Sequence, residues 1–414
     1  VTSPDSHAGS GILLARQAIY DRRLRIRAWE LLFRAHNPDQ ADVRDGDHAT
    51  SSVLINAFSG LPVADILEGR PAFINFTRRL LDFTPPISPA QLVVEVLEDV
   101  EIDADTVAAI ARLKQQGYTI ALDDYVYRDT HTELIRHADI IKVDVLASSM
   151  SEIEQLVERV QSQHIKLLAE KVETQAMFDA CKKLGFELFQ GYFLSRPQLV
   201  KGRTLKSDQR VVLQLLASLR KPDLEFREIE RLIQTDSVLV LKMLRLVNSA
   251  LFHLPRRITS IRQALTVLGM DRVRSWVQLL ALSGLEKKPG ALYLNAMVRA
   301  RLGQQLAEIT RRQHLSGDQQ FTIGLLSTLD ALLGLPLEQI LDTASFSEEV
   351  RDAILQRSGD SGFLLDTVIA FEHGQFGAID WSRLAQLGIT ADHARDAYIE
   401  SLRWADEALK LISG

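Results

Sequence analysis

The sequence predicts two folded units in tandem, α/β followed by all-α. The first is a (β/α)8-like barrel with an antiparallel first hairpin, and the second is entirely helical. Three observations carry this. Strand-like and helix-like runs alternate through the first half of the chain, the alternation stops near residue 200, and beyond residue 208 apolar residues recur only at three- and four-residue spacing. A chain of 414 residues, 46% of them hydrophobic and 25% charged, is also too long for one typical core.

The strand candidates, in order, are Ile12 to Ile19, Arg25 to Leu32, Ala72 to Phe76, Leu92 to Leu97, Thr119 to Asp123, Ile140 to Val143, Leu167 to Glu170 and Leu188 to Tyr192. Amphipathic stretches at Ala104 to Gln115, Ser149 to Gln163 and Gln175 to Leu184 are long enough to return the chain for a parallel neighbour. The link Tyr20-Asp21-Arg22-Arg23 is too short for that, so the first two strands form an antiparallel hairpin. The barrel occupies residues 1–200, a linker 201–207, and the helical domain 208–414.

In the second half, Leu239, Leu241, Leu244, Val247 and Leu251 show the helical spacing, as do Leu402, Ala405, Leu409 and Ile412. Breaks at Pro222, Pro255, Pro289, Pro336 and Gly359 to Gly362 divide it into roughly eight to ten helices.

Composition excludes several classes. With 48 basic and 54 acidic residues, a net charge of -6 provides no field for gripping a nucleic-acid backbone. No apolar run approaches the roughly 18 residues of a membrane helix, and the first residues are unlike a signal peptide. The single Cys181 suits a buried structural thiol in a reducing cytoplasm. The histidines include no i, i+4 pair, which disfavours zinc, and no Gly-x-Ser-x-Gly nucleophile motif occurs.

Carboxylates recur where strand candidates end. Glu30 ends the second, Asn75 the third, Glu95 lies in the fourth, Asp123-Asp124 ends the fifth and Glu170 ends the seventh, while Lys142 and Asp144 share one face of the sixth. Barrel enzymes gather catalytic groups at this rim. Hard oxygen ligands in this number suit Mg²⁺ or Mn²⁺, and two such ions can activate a water while holding a phosphodiester. Taken alone, Lys142 and Asp144 read equally as a strand-end ion pair, and Asp123-Asp124 as a turn cap.

The segments Trp29-Glu30-Leu31-Leu32-Phe33-Arg34, Asp123-Asp124, Leu168-Ala169-Glu170-Lys171-Val172-Glu173 and Phe189-Gln190-Gly191 resemble, in order and spacing, the EAL family of barrel phosphodiesterases that cut cyclic di-GMP with two divalent metals. The resemblance implies Glu30, Asn75, Glu95, Asp123 and Asp124 as metal ligands and Lys142 as the group orienting the attacking water. It makes Glu170 the general base or a further metal-site carboxylate. Arg34 would contact a substrate phosphate, Glu173 and Gln190 would lie near the nucleotide, and Glu98 would support the loop after the paired aspartates. That loop departs from the family: Phe-Gly-Thr-Gly-Tyr-Ser-Ser is replaced by Tyr125-Val126-Tyr127-Arg128-Asp129-Thr130-His131. Val and Arg resist the positive φ that glycine permits, which puts turnover in doubt. Lys171 also stands where the family has glycine.

The second half, from Leu241 to Ser249 and through Ile258-Thr259-Ser260-Ile261 to Leu268-Gly269, is similar to HDOD domains, relatives of HD-type phosphohydrolases that lack the metal ligands. Ser327-Thr328 stands where an active HD domain carries His-Asp. Asn248 and Ser249 serve equally as a local helix-end hydrogen bond. The resemblances together imply a bacterial cyclic di-GMP signalling protein: a barrel that binds metal and nucleotide with weak or lost hydrolysis, or an active phosphodiesterase making linear di-GMP, or a scaffold without ligand. They imply contacts with other signalling proteins through the HDOD half, and a homodimer.

Overall fold

The structure, a computed structural model, describes residues 11–36, 66–85, 87–123, 132–160, 163–191, 216, 225–234, 237–249, 252, 258–283, 290–310, 312, 315–333, 336–343 and 346–413. Eight strands close a barrel in sequence order: β1 Gly11–Asp21, β2 Ile26–His36, β3 Ala72–Phe76, β4 Leu92–Val96, β5 Thr119–Leu122, β6 Ile140–Asp144, β7 Lys166–Glu170 and β8 Leu188–Phe189. Strands β2 to β8 pair in parallel, whereas β1 runs antiparallel to both neighbours and seals the ring. The hairpin expected from the short Tyr20–Arg23 link is therefore present.

Its strands are longer than the sequence suggests. Each has eleven residues, and Gly11 pairs with His36, so Glu30 lies in the middle of β2 and not at its end. Two antiparallel strands satisfy each other's backbone groups past the barrel rim, where a parallel strand would need a further neighbour. The crossover helices Ala104–Gln115 and Gln175–Leu184 match their predicted bounds. Asp103 and Thr174 cap them by accepting from the backbone N–H three residues on, and Gly185, at φ 105°, ends the second.

Inside the barrel a dry layer forms from Ile19, Ala28, Phe73, Val93, Ala121, Ile140 and Leu168, each at most 6% exposed, with Leu188 against it. This floor sets the position of the site above it.

The described residues of the second half contain twelve α-helices, from Phe226–Gln234 to Ala391–Ser413, more than the spacing of apolar residues suggests. Gly269, at φ 82°, separates Ile261–Leu268 from Met270–Ser283, and Ser327-Thr328 separates Gly317–Leu326 from Leu329–Leu333. Hydrophobic periodicity runs through such short breaks unmarked. The linker 201–207 lies outside the described residues. Among the described residues, no helix is long and apolar enough to cross a membrane.

Candidate active site

A single rule generates the barrel mouth. Side chains two residues apart on a strand share a face. Two residues beyond each member of the floor stand Glu30 above Ala28, Asn75 above Phe73, Glu95 above Val93, Asp123 above Ala121, Lys142 above Ile140, Glu170 above Leu168 and Gln190 above Leu188. On β1, which runs the other way, the equivalent residue lies two before Ile19, and it is Gln17, directly opposite Glu30 in the hairpin register. Gln17 is a site residue that motif reading missed. The signal that finds it is the alternation on an antiparallel strand, read backwards from an apolar floor residue.

Lys142, 1% exposed, stands at the centre. Its ammonium lies 3.0 Å from Asp123 Oδ1, 2.9 Å from Glu170 Oε1 and 3.4 Å from Glu30 Oε1, and it contacts Glu95 Oε1. Lys142 therefore pairs with the ring and not with Asp144, whose carboxylate binds Lys171 instead. Gln190 is held by its backbone, with its N–H donating to Ala169 O and its carbonyl accepting from Val172 N. Its side-chain amide donates to Gln17 Oε1 at 2.8 Å and to Glu30 Oε2.

One ammonium cannot neutralise four carboxylates. Burial, reinforced by the charge of Glu30, pushes Glu95 well above the usual carboxylate range. Burial likewise raises Glu170 to about 8, with Lys142 pulling it down and Asp123 and Glu30 adding to the rise. Burial works to lower Lys142, but the surrounding carboxylates, Glu30 foremost, outweigh it and hold the ammonium firmly protonated.

Glu95 Oε2 and Asn75 Oδ1 are buried with no hydrogen-bond partner. Hard oxygen atoms that lack a donor fit a divalent cation, because an unsatisfied buried acceptor is costly and a cation satisfies it. Among the described residues no three His, Cys, Asp or Glu side chains form a ready cage, since the Lys142 ammonium fills the middle of the ring. The donor chemistry fits Mg²⁺ or Mn²⁺, and Glu30, Asn75, Glu95, Asp123 and Glu170 are the described residues that would hold it.

The other predicted residues are more dispersed. Arg34 is exposed near the end of β2, four residues past Glu30 and on the same side. Glu173 and Glu98 are exposed, and Asp124 with the loop 125–131 lies outside the described residues. Lys171, in the family's glycine position, adopts φ 52°, so the left-handed turn is kept without the glycine. A non-glycine residue there costs on the order of 1 kcal/mol.

Among the described residues of the helical half, Ser327 and Thr328 are engaged in local hydrogen bonds. Ser327 Oγ donates to Gly324 O and Thr328 Oγ1 to Leu325 O, both at 2.7 Å, closing a helix end. Arg299 fills the space beside them, paired with Glu372 at 2.8 Å and donating to Ser327 Oγ at 3.1 Å. Asn248 proves to be a helix-end fastener: its amide donates to Leu244 O and Ile258 O and accepts from Ile258 N.

The EAL domain model matches residues 60–197 and the HDOD domain model residues 205–379. The cyclic di-GMP phosphodiesterase CdgJ of Vibrio cholerae is 32% identical over 406 residues, covering 96% of this chain and 93% of the relative. The uncharacterised YuxH of Bacillus subtilis is 30% identical, covering 95% and 98%. Among solved structures, the calcium and cyclic di-GMP complex of Klebsiella pneumoniae BlrP1 aligns at 23% identity with a TM-score of 0.37, over 47% of this chain and 58% of that one. Both relatives align along nearly the whole sequence, in which an EAL domain precedes an HDOD domain, and the chain belongs to this EAL–HDOD family.

Proposed function

We propose that the barrel binds cyclic di-GMP together with Mg²⁺ or Mn²⁺ and hydrolyses it weakly or not at all, while the helical half contacts other signalling proteins. The observation that carries this is the ring of Glu30, Asn75, Glu95, Asp123 and Glu170 around Lys142 above one apolar floor, with two oxygens unsatisfied. A divalent ion held there would polarise a phosphodiester and lower the pKa of a water. The chain's own residues supply the rest. Arg34 offers a fork for a phosphate, Gln190 fixes Glu30, and Glu170 stands beside Lys142 as a carboxylate that can accept a proton from a water. The loop sequence 125–131, without the family's glycines, supports slow turnover over efficient cleavage.

A second reading, an active phosphodiesterase yielding linear di-GMP, is favoured by the name and the end-to-end similarity of CdgJ. One experiment separates the two: equilibrium titration of the full chain with cyclic di-GMP and Mn²⁺, beside single-turnover product chromatography. Tight binding with little product supports the receptor, rapid conversion supports the enzyme, and no binding overturns both.

A further inference from the structure

The two halves meet along the β1–β2 hairpin, and they meet on both of its faces. Arg16 is buried on one face, ion-paired with Asp406 and stacked 3.9 Å from the Trp29 ring, while its backbone N–H donates to the Tyr398 hydroxyl. That contact is an anchor. The neighbouring Gln17 points to the opposite face, the one that carries Glu30, Leu32 and Arg34.

One corner of the helical half follows this second face. The corner begins at His373, just past the helix Gly359–Glu372, and runs into the short 3-10 turn Phe376–Ala378. The His373 carbonyl accepts from Gln17 Nε2 at 3.3 Å. A Cβ placed on Gly374 would come 2.5 Å from Leu32 Cδ1, and one on Gly377 would come 2.9 Å from Arg34 Nη1. The corner thus touches the hairpin at three successive levels above the floor, from Gln17 beside Glu30 to Arg34, which stays exposed alongside it.

We propose that the helical half completes the dinucleotide cleft: the corner His373 to Gly377 is one of its walls, and Gly377 is a specificity-determining residue whose missing side chain leaves the Arg34 guanidinium room to reach a phosphate. This rests on the cyclic di-GMP reading above. A guanidinium binds a phosphate through parallel N–H groups in a fixed fork, so a modest displacement forfeits the pairing. Gly377 is outside the left-handed region, unlike Gly374 at φ 66°, so a side chain there strains no backbone, and the atoms nearest its Cβ would be those of the Arg34 guanidinium.

The test uses the full-length protein and its Gly377→Ala, Gly377→Leu, Arg34→Ala and Gly377→Leu/Arg34→Ala variants, titrated with cyclic di-GMP in Mn²⁺. Gly377→Leu is expected to weaken binding by roughly tenfold or more, the scale of one charge-assisted hydrogen bond, with Gly377→Ala between it and wild type. The double variant should bind no more weakly than Arg34→Ala alone. Placement is read separately, by bridging an Arg34→Cys/Gly377→Cys pair with a short bismaleimide and identifying the linked peptides by mass. Wild-type affinity in Gly377→Leu, additive losses in the double variant, or no bridging would each overturn the proposal. Bridging in a protein that binds no dinucleotide strikes the functional reading and removes the ligand of this cleft, while the contact between the halves stands.

Discussion

Arg16 of the first barrel strand and Asp406 of the last helix form an ion pair at 3.1 Å across 390 positions of sequence. Glu68 approaches the same guanidinium at 3.4 Å, so one cation serves two carboxylates. Burial raises Asp406 to about 7, against the pull of Arg16 and with help from Glu68. Burial also works to raise Glu68, but its hydrogen bond with Asp406 and the charges of Arg16 and Arg70 hold it below its ordinary value. Burial thus pushes Asp406 toward its protonated form, while Arg16 and Arg70 favour the charged form of Glu68.

A pH dependence of the interface follows. A carboxyl whose folded pKa is raised stabilises the fold fully below its unfolded value, and that contribution is lost as pH rises toward about 7. Glu68 has the opposite sign, but its contribution is already complete above its unfolded value of about 4.5. Between pH 5 and 8 the Tm of the full chain should fall, with Glu170 and Glu95 adding to the effect, and Asp406→Asn should make that fall shallower. Parallel Tm curves for the two proteins would count against a raised Asp406 carboxyl.

Removing the central cation should expose the repulsion it holds in check. Lys142→Met leaves Glu30, Glu95, Asp123 and Glu170 without their ammonium, and breaking a buried pair costs about 3–5 kcal/mol. In metal-free buffer the Tm should drop by on the order of 10 °C. Mn²⁺ should then raise it by more than in wild type, because the metal replaces the lost charge. Thermal melts with and without millimolar Mn²⁺ check this.

Glu30→Gln removes one carboxylate while keeping an oxygen for Gln190. Wild type should gain stability with rising Mn²⁺ through linkage, about 2.7 kcal/mol at a hundredfold excess over Kd, read as a rise in Tm. The variant should show almost none of this shift. Equal shifts in the two proteins would remove Glu30 from the ligand set.

Restoring Phe-Gly-Thr-Gly-Tyr-Ser-Ser at residues 125–131 should raise single-turnover cleavage more than affinity. A misplacement of about 1 Å at the reacting centre can lower the rate on the order of 10²-fold while ground-state binding changes little. Cleavage by wild type as fast as by the graft would set the loop argument aside.

The barrel and most of its mouth were legible because both follow a period of two. Motif spacing picked out Glu30, Asn75, Glu95, Asp123, Lys142, Glu170 and Gln190, and these stand in one layer. Gln17 escaped because its strand runs against the others, so its place in the layer precedes its floor residue instead of following it. Glu30 was read as a strand end because the apolar run stops near Leu32, whereas backbone pairing with β1 carries the strand on to His36. The Arg16–Asp406 pair and the corner at Gly377 were invisible for a different reason. They join segments more than 300 residues apart, and no local periodicity encodes which distant surface a strand will meet.

The floor beneath the site has an evolutionary corollary. Its apolar side chains fill the barrel interior, while the polar groups stand one pleat higher. Chemistry and architecture are thus inherited on separate rows of the same strands. A substitution in the upper row can therefore alter chemistry or binding while the apolar row beneath keeps the barrel closed.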